Sequence, residues 1–127
     1  MKVIIVGGVA GGATAAARLR RLDESAEITI IERSGYISYA NCGLPYYIGG
    51  VITRKEDLTL QTPESFCKRF RIQARVHQEV IRIRREEKKV QIRDLKTGET
   101  YEEGYDKLLL SPGASAVKPA VFGVEQE

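Results

Sequence analysis

Three features of the sequence carry residue types that do chemistry. The first is a glycine-rich stretch, Gly7-Gly8-Val9-Ala10-Gly11-Gly12. Glycines let a backbone turn tightly and approach a pyrophosphate, and a helix starting there offers free amides and a favourable dipole. The second is Glu32, whose carboxylate can accept hydrogen bonds from ribose hydroxyls. Gly12 and Glu32 stand about 20 residues apart, the spacing of a dinucleotide-binding fingerprint. The third is Cys42, in the run Ser38-Tyr39-Ala40-Asn41-Cys42-Gly43-Leu44-Pro45. A lone thiol is either a small packing residue or a redox nucleophile.

Dinucleotide binding is the stronger reading of the first two features, because packing glycines alone leave Glu32 and the flanking strands unexplained. In the G-x-G-x-x-G register Gly7 and Gly12 match, while Val9 takes the middle place and Gly8 and Gly11 keep the loop permissive. A carboxylate at Glu32 disfavours the 2′-phosphate of NADP and suits FAD and NAD alike. Cys42 is expected at a helix N-terminus, with Asn41 as the cap. A helix dipole supplies about 0.3–1 kcal/mol, less than the ~1.36 kcal/mol that moves a titration by one unit. A stacked flavin or a nearby cation must therefore do the rest if the thiol is reactive. Ser38 and Asn41 could line a pocket at its mouth. Cys67, on an amphipathic helix, and His77, with no acid or nucleophile placed beside it, read as structural.

These groups need a scaffold, and the patterning supplies one. Lys2 to Val6 and Glu27 to Ile31 are β-branched apolar runs that fit strands buried on both faces of a parallel sheet. Ala13 to Leu22 between them reads as a helix, with Ala15, Leu19 and Leu22 at helical spacing, which completes a βαβ unit. Residues 34–41 read as a loop and Cys42 to Gly49 as a short helix, with Pro45 in its first turn. Thr62-Pro63-Glu64 opens a helix through Arg69. Four short strands are expected over Gln73 to Val76, Glu79 to Arg84, Lys88 to Asp94 and Thr100 to Tyr105, with a turn at Lys96 to Glu99. A last apolar strand, Lys107 to Leu110, stops at Ser111-Pro112-Gly113-Ala114. The expectation is an α/β, Rossmann-like domain, with a parallel sheet and βαβ unit plus a small antiparallel β-meander.

Composition narrows the function classes. The chain has 127 residues, 43% hydrophobic and 29% charged, with a net charge of +3. That suits one globular domain. Its basic residues are too dispersed for a nucleic-acid reader. No apolar run reaches the roughly 18 residues of a membrane span, and no secretory leader is evident. Two cysteines make no disulfide framework, so reduced thiols and a cytoplasmic location are expected. No metal is expected.

Along nearly its whole length the sequence resembles the coenzyme A-disulfide reductases. These are single-cysteine flavoproteins within the pyridine nucleotide-disulfide oxidoreductases, related to NADH oxidases, peroxidases and persulfide reductases. The matching segments are Val6 to Thr14, Ile37 to Tyr46, Thr62-Pro63-Glu64 and Tyr105 to Ala114, and the Asn41-Cys42 segment is the most specific of them. The Val9 departure is usual in this group.

The resemblance implies FAD as the dinucleotide. Gly7, Gly8, Val9, Ala10, Gly11 and Gly12 would hold its pyrophosphate, Glu32 its ribose, and Arg33 would lie near the adenosine. Val80 would meet the adenine, and Ser111, Pro112, Gly113 and Ala114 would close over the flavin side. Cys42 would be the redox nucleophile, relaying electrons from NADH or NADPH through FAD to a mixed disulfide. Thr14, Arg18, Arg21, Ser38 and Asn41 would line the coenzyme A site. A further basic ligand of the family falls at Phe70 here, where Lys68, Arg69 or Arg71 could substitute. The resemblance also implies a longer enzyme. Residues 1–119 would be the N-terminal part of an incomplete FAD domain, and residues 120–127 a connector toward a nicotinamide domain and a dimerisation domain. On that reading the chain alone consumes no NADH and holds FAD weakly, and the full-length protein is a homodimer.

Overall fold

The two β-branched runs form adjacent strands, β1 (Lys2–Val6) and β2 (Glu27–Glu32), paired in parallel. The helix α1 (Ala10–Leu22) connects them. The structure, a computed structural model, describes residues 1–115, 117 and 120. The proposed connector, apart from residue 120, lies outside the described residues.

The remaining elements follow in chain order: β3 (Ile37–Tyr39), α2 (Leu44–Ile48), β4 (Thr59–Gln61), α3 (Pro63–Phe70), β5 (Gln73–Val76), β6 (Gln78–Arg84), β7 (Lys89–Asp94), β8 (Thr100–Gly104) and β9 (Lys107–Leu110). The main sheet is parallel, in the order β5-β2-β1-β9. β6, β7 and β8 make the antiparallel meander, and β5 leaves the run of four expected strands for the main sheet.

Alternation along the strands explains the three layers. Val3, Ile5, Ile28 and Ile30 face the helices, packing with Ala13, Ala16, Phe66 and Ile72. Ile4 and Ile31 face the other way, against Val90 and Ile92 of β7. A strand covered on both faces has no polar side to show, hence its unbroken apolar sequence.

The structure corrects the expected elements at several points. α1 begins at Ala10 rather than Ala13, taking Gly11 and Gly12 into its first turn. It buries Gly12, Ala13, Ala16 and Arg20, while Leu22 is 68% exposed. Small residues let the helix sit close to the sheet, and the bulky leucine at its end is left outside. The expected loop over residues 34–41 contains β3, paired antiparallel with β4. Cys67 is exposed and does not pack in the core. Its neighbour Phe66 is the buried residue of α3. α3 starts as expected, with Pro63 in the first turn and Thr62 and Ser65 exchanging bonds in a capping box.

His77 is built into the bend between β5 and β6. Its backbone has φ 56, its N–H donates to the Ser34 carbonyl at 3.0 Å, and its carbonyl accepts from Leu95 at 2.8 Å.

Candidate functional site

The glycine loop stands between two sets of clefts. On one side, a cavity of about 230 Å³ is lined by Gly7, Glu32, Arg33, Val80 and residues 112–114. It adjoins another of about 490 Å³, which adds Val9, Ala10, Gly11, Ser111 and the rings of Tyr36 and Tyr39. A third cavity, of about 840 Å³, shares Val9, Ala10, Tyr39 and Asn41 with the second and adds Thr14, Arg18, Arg21, Ser38 and Cys42.

The side that holds Glu32 is shaped by backbone. Gly7 has φ +94, and a Cβ there would fall 2.0 Å from the Ser111 carbonyl oxygen. A Cβ on Gly12 would fall 1.8 Å from the Gly7 carbonyl oxygen, and one on Gly11 2.5 Å from Ser111 Oγ. At Gly7 and Gly12 the loop is therefore in direct backbone contact with the segment after β9 and with the first turn of α1, which a side chain at either position would forbid; at Gly11 the neighbour is the Ser111 side chain. Gly8 and Gly12 do not line either cavity. Gly12 packs on Gly7, and Gly8 is buried against Ile30 and Ile37.

Glu32 is 6% exposed. Its Oε2 accepts from the Gly8 amide at 2.7 Å and its Oε1 from the Ser34 amide at 2.8 Å. An ionised carboxylate has about four lone-pair sites, so both oxygens keep capacity for a hydroxyl donor. The N-cap of α1, Val9, makes no side-chain cap bond, and no acidic residue stands in the first turn. An uncapped helix start facing a cleft favours an anion. A pyrophosphate joined to a ribose fits this donor and acceptor set.

The thiol side is made of side chains. Thr14, Arg18 and Arg21 follow at i, i+4 and i+7, which sets them on one stripe of α1. Phe66 and Phe70, four apart on α3, form the facing wall with ring centroids 5.0 Å apart. Phe70 lines this cleft. Lys68, Arg69 and Arg71 do not, so none of the suggested basic substitutes occupies that place. Arg69 lies over the Phe70 ring, 5.2 Å from its centroid.

Cys42 is exposed, which removes the buried-filler reading. It belongs to a 3₁₀ turn, Asn41–Gly43, and does not begin an α-helix; Asn41 makes no cap bond. Gly43 is the inward residue of that turn. A Cβ there would meet Leu58 at 2.6 Å, and Leu58 is fully buried. With the turn anchored through Gly43, the Cys42 thiol faces the cleft. The helix-dipole argument does not apply to it, and the cations that share its cavity are Arg18 and Arg21.

Ser38 ties the two sides together. Its N–H donates to the Gly8 carbonyl at 2.8 Å, and its φ is 51. A non-glycine residue in the left-handed region costs about 1 kcal/mol or more. Tyr36, Tyr39, Leu60, Gln61 and Phe66 were not singled out from sequence. They reach the clefts through the β3–β4 pairing and the docking of α3, neither of which leaves a local signal.

Among the described residues no group of three or more His, Cys, Asp or Glu could hold a metal ion. No described helix is long and apolar enough to cross a membrane.

Comparison with known proteins agrees with this geometry. The chain is 48% identical over 115 residues to the coenzyme A disulfide reductase of Staphylococcus epidermidis, covering 91% of this chain and 26% of that protein. The crystal structure of reduced Bacillus anthracis CoADR-RHD superposes with a TM-score of 0.91 at 56% identity, over 98% of this chain and 22% of that one. An NAD-dependent persulfide reductase from A. fulgidus gives 0.90 at 36% identity, over 98% and 23%. The chain thus spans about a quarter of the length of these relatives. Its residues 1–127 match throughout the family described as pyridine nucleotide-disulphide oxidoreductase, and the chain belongs to that family.

Proposed function

We propose that this chain forms the FAD- and thiol-binding part of an NADH- or NADPH-dependent reductase of coenzyme A disulfide. The observation that carries the reading is the shared cleft: an exposed thiol, two polar neighbours and two arginines line one cavity beside the glycine loop.

The Gly7–Gly12 loop, Glu32, Arg33, Val80 and residues 111–114 would hold FAD, whose chemistry when bound is two-electron reduction of a disulfide. Cys42 attacks one sulfur of coenzyme A disulfide as the thiolate. A Cys42–S–S–coenzyme A bond forms, the substrate S–S bond breaks, and one coenzyme A leaves as a thiolate. Arg18 and Arg21 present guanidinium forks to phosphates of the substrate. Ser38 and Asn41 orient the thiol end. The chain carries one glycine fingerprint, so the nicotinamide belongs to another part of the protein.

Coenzyme A disulfide added to the purified chain should yield one coenzyme A adduct, mapped to Cys42 by mass spectrometry and lost in Cys42→Ser. An adduct divided equally between Cys42 and Cys67 would refute the assignment. The likeness to a persulfide reductase supports a second reading, in which Cys42 takes a sulfane sulfur. A persulfide of coenzyme A leaving sulfur on Cys42, with no adduct from the disulfide, would select it.

A further inference from the structure

Arg20 lies within the run Arg18 to Arg21, whose outer members line the thiol cleft, yet it points the opposite way and is 8% exposed. It has no carboxylate partner among its bonds. Its guanidinium donates to main-chain carbonyls alone: Nε to Phe70 at 2.8 Å, one Nη to Asp23 at 3.2 Å and Glu24 at 2.7 Å, the other Nη to Arg71 at 2.9 Å. Phe70 ends α3, and Arg71 is its C-cap, in the left-handed region with φ 52. Asp23 and Glu24 directly follow α1. One side chain therefore binds carbonyls at the C-terminus of α3 and just beyond the C-terminus of α1.

A cation at a helix C-terminus meets the negative end of its dipole, and the planar fork reaches several acceptors at once, which an ammonium cannot match. The two helices joined here are the two walls of the thiol cleft, α1 with Arg18 and Arg21, α3 with Phe66 and Phe70. The Arg71–Glu24 ion pair at the same junction is 3.8 Å long between side chains 70% and 86% exposed, so it adds little.

We propose that Arg20 is a positioning residue that sets the separation of these walls, and with it the fit of the phosphorylated portion of the thiol substrate. The inference rests on the substrate class proposed above. Because the clamp acts at the helix ends near Arg18 and Arg21, it governs the phosphate end of the cleft and leaves the Cys42 end alone.

The test measures dissociation constants for coenzyme A and for pantetheine, which has the thiol arm without phosphates, on the wild-type chain, Arg20→Lys and Arg20→Met. Coenzyme A binding is expected to weaken by about tenfold or more in Arg20→Met and by less in Arg20→Lys, while pantetheine changes by about twofold at most. Should Arg20→Met fail to fold, the Arg20→Lys chain carries the same comparison. Equal weakening of both ligands would reduce Arg20 to general stability and overturn the proposal, as would unchanged coenzyme A affinity. A wild-type chain that binds no coenzyme A would overturn the substrate reading itself.

Discussion

The two sides of the glycine loop are built from different material. The cleft side with Glu32 is made chiefly of main chain: contacts at Gly7 and Gly12 that no Cβ could tolerate, and a buried carboxylate held by amides. The thiol side is made of side chains: exposed ones on α1 and the 3₁₀ turn, and the buried Phe66 and half-buried Phe70 of α3. A site made of backbone cannot change without disturbing the fold that shapes it. A site made of side chains can be retuned residue by residue on an unchanged frame. Binding and stability should accordingly be coupled on the first side and separable on the second.

The sharpest break between them is Gly12→Ala. With its Cβ placed 1.8 Å from a carbonyl oxygen, the helix must move from the loop. We expect a loss of about 3 kcal/mol or more in denaturant unfolding, together with loss of flavin binding. A chain that keeps its stability yet loses flavin would dissolve the distinction. On the opposite side, Arg18→Ala and Arg21→Ala should each weaken coenzyme A binding by about 1.5 kcal/mol in titration calorimetry. Both arginines are exposed, so stability should stay within about 0.5 kcal/mol.

A smaller effect tests what holds the meander beneath the dinucleotide cleft. Glu103 accepts from Arg75 and lies 3.0 Å from Lys2 Nζ. Burial opposes its ionisation, but the hydrogen bonds from Arg75 and Lys2 outweigh it and hold the carboxyl below the usual range. A depressed folded value stabilises above the unfolded value of about 4.3, and that stabilisation is lost as pH falls through the folded value. Glu103→Gln should therefore cost about 1 kcal/mol at pH 7. Unfolding curves of the two chains should converge in acid, and a gap that persists there would exclude the charge as its source. Smallest of all, Cys67→Ser should alter stability by about 0.5 kcal/mol or less, because that thiol is exposed. It should leave the coenzyme A adduct at Cys42 intact.

The same contrast explains what the sequence discloses. β1 and β2 are legible because strands covered on both faces read as apolar runs, and α3 because Thr62 and Pro63 write its start locally. The glycine loop and Glu32 are legible because spacing along the chain encodes that backbone device. β3 and β4 are not, since each has three residues and the pairing spans the intervening turn and helix. Cys42 is recognisable by its neighbours, but its exposure depends on Gly43 docking against Leu58. Arg20 is hidden most fully. Within a basic run it reads as surface, and the approach of α3 to α1 supplies two of the four carbonyls that hold it, those of Phe70 and Arg71.

The strand order has a consequence for how this protein comes into being. Among the described elements β1 comes earliest along the chain, and it sits in the middle of the sheet, between β2 and β9. Lys2 and Asp106 bond reciprocally, the Lys2 amide to the Asp106 carboxylate at 2.6 Å and the Asp106 amide to the Lys2 carbonyl at 2.8 Å. During synthesis β1 must wait for β9, with 104 residues separating Lys2 from Asp106, before its second edge is covered. Pairing over such a separation is slow to nucleate, and an uncovered central strand is the kind of edge that other chains find. Nascent chains halted before Lys107 should therefore be the aggregation-prone species, whatever the stability of the finished fold.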